Sequence, residues 1–514
     1  MSRSRITAPP DFDRWLVPPC ALAIHLAIGM AYGFSVFWLP LTHAIGITDS
    51  VMCDGLSLTA ALTTTACDWR VSDLVWVYTL FFVVLGLAAA LFGGWVEQVG
   101  PRTAGLVAAA CWCGGLLIGA AGAALHQLWL LWLGAGVIGG IGLGIGYITP
   151  VSTLIKWFPD RRGLATGMAI MGFGGGAMVG SPLADRLMAA FAGPASVGVW
   201  QAMLVLAGLY ALFMVAGALG FRLPAPGWAP PGRPEAIAGG RYVPLAVVHR
   251  TPQFWLVWAV LLLNVSASIG IIGLASPMVQ EIFGGQLFGA AVRFADFTEA
   301  DKAAAAAAGA GFVGLISLFN IAGRFFWSSL SDRLGRKAMY AAILALGAAA
   351  YGLALPTATA LPLFLACFAL IASMYGGGFA AVPAWLADLF GTAQVGAIHG
   401  RLLTAWSTAG VLGPLLVAYA RDASLAAGVP REAVYAPIFQ MLAAMLALGL
   451  VAALLVRPVA AHWWQDAPDA AAAAAGTAAP ARARWGLRLA GWSAVLLPLA
   501  WGAWFTLQKA VLLI

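Results

Sequence analysis

The sequence contains few charged residues for its length. Only 9% of its 514 residues are Asp, Glu, Lys or Arg, whereas 62% are hydrophobic. A soluble domain of ordinary composition carries about 25% charged residues, so this chain has too few to cover a solvated surface. The same composition is too apolar for a disordered protein. These shortages exclude a soluble enzyme and indicate a polytopic membrane protein.

Clustered basic residues and paired cysteines are also scarce. The formal net charge is +7, but the 27 Lys and Arg residues are spread thinly between apolar runs. A nucleic-acid-binding protein needs basic residues clustered on one exposed face. Six cysteines do not make a disulfide framework in a chain of this length. We therefore expect no nucleic-acid partner, and we find no pattern of nucleophile, acid/base pair or metal ligands that would indicate an enzyme, a metal or a cofactor.

What the sequence has instead is a series of apolar segments, each about as long as the roughly 20 residues that span a bilayer. They lie near residues 17–46, 74–96, 103–124, 128–155, 163–192, 199–221, 254–283, 305–331, 338–356, 360–387, 398–420, 434–456 and 486–510. Six segments precede a Pro-rich polar stretch, six follow it, and one comes after an Ala-rich tract. We retain the first as a span, not a signal peptide, because no small-residue cleavage site follows it.

The pattern predicts an all-α membrane protein with two six-helix bundles and one extra C-terminal helix. The predicted boundaries are a cytoplasmic N-terminus at 1–16, bundles at 17–222 and 254–457, linkers at 223–253 and 458–484, and the extra helix at 485–514. Four landmarks recur between the bundles at separations of 232 to 235 residues, namely Gly100 and Gly335, Pro150 and Pro383, Phe158 and Phe390, and Pro182 and Pro414. This duplication is typical of transporters with paired halves.

The distribution of positive charge among the loops predicts the orientation of the chain in the membrane. Nineteen of the Lys and Arg residues fall on the side of the N-terminus and the central linker, and five fall on the opposite side. Cytoplasmic loops carry the excess of positive charge, so the N-terminus is predicted to be cytoplasmic and the C-terminus periplasmic. Cys53 and Cys67 then lie in an external loop, where oxidation is permitted. They form either a disulfide that closes this loop or two free thiols.

The loop after the eighth segment reads SSLSDRLGRK, and it resembles the loop signature of the major facilitator superfamily. A divergent first-half copy, GGWVEQVGPR, has Glu97 where the signature has Asp. The resemblance implies a gating latch that breaks and reforms as the two halves rock. Its residues here are Asp332, Arg333, Gly335, Arg336 and Lys337 in the second half and Glu97 and Arg102 in the first.

Longer stretches are similar to one family within that superfamily. The segments GIGLGIGYITPVSTLIKWFPDRRGLATGMAIMGFGGGAMVGSPL, YGFSVFWLPL, NIAGRFFWSSLSDRLGRK, YGGGFAAVPAWLADLFG and HGRLLTAWSTAGVLGP together resemble the oxalate/formate antiporter family over residues 17–457. The resemblance implies a transporter of small organic anions in a bacterial inner membrane, which we expect to be a monomer. We interpret the glycine runs as close helix packing through small residues.

Arg324 is a charged residue that lies inside an apolar segment and not in a loop. It lies eight residues before Asp332, about 12 Å along a helix. An arginine inside a membrane costs about 2.5–3.5 kcal/mol to insert, so it is expected to face a cavity, where its planar fork suits a carboxylate. The alternative is an arginine that snorkels to the cytoplasmic interface. In the family that the chain resembles, an arginine at this place binds the organic anion.

Other residues of the predicted site follow from position and from the resemblance. Tyr32, Tyr147 and Tyr375 fall near mid-membrane and are candidates for an aromatic cage, with core packing as the alternative for each. Oxalate carriers of the family pair the arginine with a lysine, and Trp406 stands at that position here. Related proton-coupled monocarboxylate transporters place an Asp one turn before the arginine, and here that residue is Asn320.

Together these residues predict a secondary transporter of monocarboxylates such as formate, pyruvate or lactate, because one cation argues against a dianion. Antiport and proton symport both stay open. His25, two turns before Tyr32, is a candidate for proton coupling, with a structural histidine as the alternative. Three other functions stay open as well: an oxalate/formate exchanger, a carrier of non-anionic cargo, and an anion-binding membrane sensor.

Overall fold

The computed structural model describes residues 6–9, 11–47, 50–51, 53, 57–225, 228–230, 241–272, 274–290, 292–466 and 484–510. Parts of the predicted linkers, together with Arg3, Arg5, Arg233 and Arg482, lie outside these residues. Within the described ranges, 13 helices are long and apolar enough to cross a membrane, which confirms the all-α prediction.

We number these spans 1 to 13 in chain order. They are Arg14–Leu41, Val71–Val99, Pro101–Ala124, Leu128–Trp157, Arg162–Phe191, Val199–Gly220, Pro252–Ile272, Gly311–Leu334, Arg336–Thr357, Leu361–Phe390, Val395–Ala426, Tyr435–Leu455 and Trp485–Gln508. Span 8 belongs to a longer helix, Glu299–Leu334, and span 13 to Trp485–Ala510.

Four spans are not regular α-helices throughout. Span 1 is α-helical over Val17–Ile28 and changes to a 3-10 helix over Gly29–Phe37. π-helical turns occupy Trp132–Ile138 in span 4 and Ala350–Ala354 in span 9. Span 11 consists of two helices, Val395–Leu402 and Thr404–Ala426.

Short elements connect the spans. The short helices are Leu58–Ala61, Leu245–Val248, Ala275–Phe283, Gly284–Phe288, Phe294–Asp296 and Ala461–Trp463. Strand β1 (Arg241–Tyr242) pairs antiparallel with β2 (Gln465–Asp466), so the central linker is joined to the segment that follows span 12.

The repeated glycines occupy the same structural position in the two repeats. Gly100 separates spans 2 and 3 with φ +81°, and Gly335 separates spans 8 and 9 with φ +85°. Residues other than glycine rarely adopt this backbone conformation, so glycine permits the tight turn at both places. Likewise, each landmark proline lies inside a helix, at Pro150, Pro182, Pro383 and Pro414.

Contacts between residues divide the chain into two compact units. Unit 1 comprises Met1–Leu245, Leu386–Thr404 and Trp463–Leu499. Unit 2 comprises Ala246–Trp385, Ala405–His462 and Ala500–Ile514. Unit 1 therefore includes, besides the first repeat, the end of span 10, the start of span 11 and span 13 as far as Leu499.

Glycines bring spans 1 and 5 together in unit 1. A Cβ atom on Gly29 would collide with the carbonyl of Phe173, and one on Gly176 would come within 2.5 Å of Gly29 Cα. The GFGGG run is thus a packing surface, as the sequence indicated. Small residues of this kind let helix backbones approach closely in a membrane.

Span 13 lies against span 1 and span 5 in unit 1. Nη2 of Arg488 donates a 2.5 Å hydrogen bond to Oδ1 of Asp13, and Nε donates to the other carboxylate oxygen. Asp13 is only 2% exposed. One turn later, a Cβ atom on Gly491 would lie 3.4 Å from Cβ of Pro19. The extra helix is therefore anchored at the base of span 1.

Candidate functional site

Arg324 lies wholly buried in span 8, with 0% of its surface exposed. Its Nε donates a 3.0 Å hydrogen bond to Oδ1 of Asn320, one turn earlier. Its Cζ lies 5.5 Å from the centroid of the Phe379 ring in span 10. The partners of the guanidinium thus include a neutral amide and an aromatic ring.

Glycines determine how closely spans 8 and 10 approach at this point. A Cβ atom on Gly376 would collide with the backbone carbonyl of Asn320, and one on Gly323 would collide with the carbonyl of Ser373. Nδ2 of Asn320 donates a 3.3 Å hydrogen bond to the carbonyl of Ala372 in span 10. The YGGG sequence therefore brings Asn320 and Arg324 directly against span 10.

Aromatic side chains complete this cluster in unit 2. The rings of Phe379 and Trp406 meet edge to face with centroids 4.8 Å apart, and Tyr375 lies 6.5 Å from Phe379. The structure thereby brings four of the predicted residues together, namely Arg324, Asn320, Tyr375 and Trp406. Sequence reasoning missed Phe379, although it lies four residues after Tyr375 and so on the same helix face.

This arrangement suits recognition of a small planar anion. Asn320 engages Nε and so fixes the plane of the guanidinium, whose donors match the two oxygens of a carboxylate. Aromatic rings supply an apolar wall that excludes water and strengthens the electrostatic attraction. Trp406 contributes an apolar surface and an indole N–H rather than a second positive charge.

The predicted tyrosines of the first repeat lie in an aromatic cluster within unit 1. Tyr32 in span 1 and Tyr147 in span 4 both pack edge-on to Phe173 of span 5, with centroid distances of 5.0 and 5.2 Å. Phe173 belongs to the glycine-rich GFGGG run and was missed, because the run was interpreted only as a packing surface.

His25 belongs to the same cluster and is also wholly buried. Its Nδ1 lies 2.5 Å from the carbonyl oxygen of Ala169, and its Nε2 lies 3.0 Å from that of Tyr147. Its ring stacks on the Tyr147 ring at 5.2 Å. The Tyr147 ring also lies 5.8 Å from the ring of His399, a residue that sequence reasoning did not single out.

The predicted gating residues of the second repeat make local contacts in unit 2. Asp332 accepts a 2.6 Å hydrogen bond from Nη2 of Arg336, whose Nη1 donates to Ser331. Nζ of Lys337 donates a 3.0 Å hydrogen bond to the carbonyl of Val456. Arg333 is exposed.

The first-repeat copy makes longer-range contacts in unit 1. One oxygen of Glu97 pairs with Nζ of Lys156, and the other accepts a 3.1 Å hydrogen bond from the backbone N–H of Gly396 at the start of span 11. Nε of Arg102 donates a 2.9 Å hydrogen bond to the carbonyl of Phe221. Glu97 thus joins span 2 to spans 4 and 11.

In the loop between spans 1 and 2, which belongs to unit 1, the Sγ atoms of Cys53 and Cys67 are bonded, with their Cα atoms 5.7 Å apart. The next residue, Asp68, is buried, and its carboxylate accepts hydrogen bonds of 2.7 to 2.9 Å from three backbone N–H groups of the loop. His126 Nε2 lies 2.8 Å from the carbonyl of Cys67, and its ring stacks on Trp69 at 4.0 Å. Burial lowers the pKa of His126.

A family model matches most of the chain. The family model described as Major Facilitator Superfamily matches residues 20–298 and 300–513. The oxalate:formate antiporter of Oxalobacter formigenes is 25% identical over 404 residues, which cover 78% of this chain and 83% of that protein.

Two further likenesses concern a second carrier and a solved structure. The apicoplast pyruvate carrier 1 of Toxoplasma gondii is 28% identical over 387 residues, covering 64% of this chain and 66% of that protein. The crystal structure of FucP, a Major Facilitator Superfamily transporter in the outward conformation, matches 87% of this chain and 100% of its own with a TM-score of 0.59 and 14% identity. The last likeness concerns the fold alone.

Proposed function

The chain belongs to the Major Facilitator Superfamily, and we propose that it transports small monocarboxylates, such as formate, pyruvate or lactate, across a bacterial inner membrane. It is a multi-pass transporter and not an enzyme. Alternating access carries the anion, with one repeat rocking against the other. The distribution of Lys and Arg supports a cytoplasmic N-terminus and a periplasmic C-terminus.

The observation that carries this proposal is the complete burial of Arg324 beside Asn320 and Phe379. A buried guanidinium is costly inside a membrane and is characteristic of substrate pathways. Its position in the middle third of span 8 also argues against a side chain that snorkels to the interface. The two terminal nitrogens of Arg324 bind the carboxylate, and Asn320 fixes their direction.

The aromatic residues determine the class of anion. An apolar wall beside Arg324 is formed by Phe379, Tyr375 and Trp406. This wall suits a monocarboxylate with a small organic group better than it suits oxalate. The likeness to a pyruvate carrier supports this preference. The likeness to an oxalate:formate antiporter supports the broader proposal that the substrate is an organic anion. Tyr32 and Tyr147 are proposed as the contribution of the first repeat to anion binding.

Counterflow in proteoliposomes tests the function. Purified protein is reconstituted into vesicles, and the vesicles are loaded with an unlabelled anion. The uptake of the same anion in radiolabelled form is then compared for formate, pyruvate, lactate and oxalate. Arg324→Gln is expected to lose counterflow of all four anions, whereas Arg457→Gln, which removes an exposed arginine, keeps it. Wild-type counterflow in a correctly folded Arg324→Gln variant would contradict the site.

The same panel separates the alternatives. Counterflow of oxalate that exceeds that of pyruvate would replace the proposed substrate class with oxalate/formate exchange. Protein that binds pyruvate but shows no counterflow of any anion would indicate a sensor.

A further inference from the structure

His25 has an arrangement of hydrogen-bond partners that a neutral histidine does not satisfy. Its two ring nitrogens face two backbone carbonyl oxygens, at 2.5 Å on Ala169 and 3.0 Å on Tyr147. A carbonyl only accepts hydrogen bonds, and a neutral imidazole carries one N–H. In either neutral tautomer, therefore, one nitrogen lone pair points at a carbonyl oxygen. Only the imidazolium donates to both.

The surroundings of His25 also favour the charged ring. The Tyr147 ring stacks on it at 5.2 Å with an interplanar angle of 24°, within the range of a cation–π contact. Phe173 of span 5 lies edge-on to it at 6.2 Å. Burial of a charge is costly unless hydrogen bonds compensate it, and the two carbonyls from spans 4 and 5 provide that compensation.

A second imidazole, that of His399, also contacts the Tyr147 ring. His399, at the start of span 11, is 2% exposed, and its Nδ1 is a buried atom with no hydrogen-bond partner in the described part of the chain. The titratable groups near His25 in the described part of the chain include Tyr147 from span 4 and His399 from span 11. Two imidazolium charges that both contact the Tyr147 ring would repel, so the pair is expected to hold one proton at a time.

We propose that His25 binds the proton that moves with the anion, and that His399 is the second imidazole through which this proton is exchanged. The proposal rests on the transport function above. When the proton leaves, His25 keeps one N–H and donates it to one carbonyl, while Nδ1 of His399 gains the proton. His399 comes from the second repeat, so its distance from His25 changes as the repeats rock, and this links protonation to the transport cycle.

The test separates net, gradient-driven uptake from exchange. Full-length protein is reconstituted with the pH dye pyranine inside the vesicles, and pyruvate counterflow and pyruvate accumulation under a pH gradient are both measured. His25→Gln is expected to keep counterflow within about twofold of wild type, since exchange needs no net proton movement. It is expected to lose gradient-driven accumulation and the accompanying pyranine signal.

Two further variants complete the set. His43→Gln removes a histidine of the external loop and is expected to behave as wild type. His399→Gln is expected to shift the pH at which accumulation is half-maximal, and an unchanged profile would overturn the role of His399. Wild-type accumulation with a wild-type pyranine signal in His25→Gln would overturn the role of His25.

A spectroscopic measurement keeps the proposal testable if His25→Gln folds poorly. Solid-state NMR of protein with ¹⁵N-labelled histidine is expected to show one doubly protonated ring near pH 7.5 that disappears in His25→Phe. A neutral ring at His25 from pH 5 to 8 would overturn the proposal. Arg324→Gln is expected to retain this signal although it loses transport, so failure of the anion site and failure of the proton site give different results.

Discussion

Asn320 and Arg324 lie one helical turn apart in span 8, and Oδ1 of Asn320 accepts a 3.0 Å hydrogen bond from Nε of Arg324. This partner is neutral, so it orients the guanidinium without cancelling its charge. A carboxylate at the same position would satisfy the same nitrogen but would compete with the transported anion. The identity of residue 320 is therefore expected to determine how tightly the anion binds and how that affinity depends on pH.

Asn320→Asp tests this expectation. At pH 7.5 we expect the KM for pyruvate counterflow to rise about tenfold, which corresponds to about 1.4 kcal/mol. As the pH falls, protonation of the new carboxyl releases Arg324, so the KM is expected to fall. Asn320→Leu is the control, because it removes the orienting hydrogen bond without adding a titratable group. Parallel pH profiles for the two variants would contradict the prediction.

Trp406→Lys tests the basis of anion selectivity. It places a second cation next to Phe379, whose ring lies 5.5 Å from Arg324 Cζ. Dianions should therefore bind more tightly, and monoanions should bind less tightly. We expect the ratio of oxalate to pyruvate counterflow to rise by about tenfold, the effect of roughly 1.4 kcal/mol of differential binding. Trp406→Phe keeps the apolar wall and should keep the wild-type preference. An unchanged ratio in the lysine variant would show that Trp406 does not influence selectivity.

The lowered pKa of His126 predicts that the stability of the loop between spans 1 and 2 depends on pH. Burial holds its pKa below the ordinary value of about 6.5, so the unfolded loop binds a proton more readily than the folded loop. Its contribution to stability is therefore present above pH 6.5 and is lost as the pH falls toward the lowered pKa of the folded state. The protection factors of the loop amides, which are exchange rates corrected for the intrinsic effect of pH, should fall in acid for wild type. This fall should be smaller in His126→Gln, and an equal fall would assign the effect to other groups.

The docking of span 13 can be trapped chemically. An ideal Cβ on Gly491 lies 3.4 Å from Cβ of Pro19, close to the 3.5–4.5 Å that a disulfide requires. Pro19→Cys combined with Gly491→Cys is expected to cross-link, as seen on a gel after cleavage at a protease site inserted in residues 467–483. Pro19→Cys with Gly486→Cys is the control, since a Cβ on Gly486 meets nothing within 4 Å. Adding Arg488→Ala should reduce the first cross-link, and equal cross-linking in both pairs would contradict this docking.

Features that depend on a short stretch of the chain could be recognised from the sequence. They include repeated turn residues and a charged residue that is costly to place inside an apolar segment. The matched glycines Gly100 and Gly335 predicted a repeat, and both have the same positive-φ backbone conformation. Arg324 stood out because a charge inside an apolar run needs a reason, and the structure buries it completely. Asn320 followed from its spacing of one turn.

Contacts between residues distant in the chain could not be recognised in this way. His399 lies against Tyr147 although 252 positions separate them, and no periodicity of an apolar helix indicates such a pairing. The π-helical turn at Trp132–Ile138 gives no signal either, because its residues are as apolar as those of a regular span. The sequence also left both states of Cys53 and Cys67 open, since spacing alone does not bring two sulfur atoms together.

The anchoring of span 13 by Arg488 and Asp13 has a consequence for how strong that contact needs to be. A helix on the same chain as its docking surface is held at an effective concentration in the millimolar range, so a few contacts keep it in place. The same helix as a separate peptide would have to find and hold its site by its own affinity. Covalent linkage also fixes the stoichiometry, because every copy of the core is synthesised with one copy of the helix.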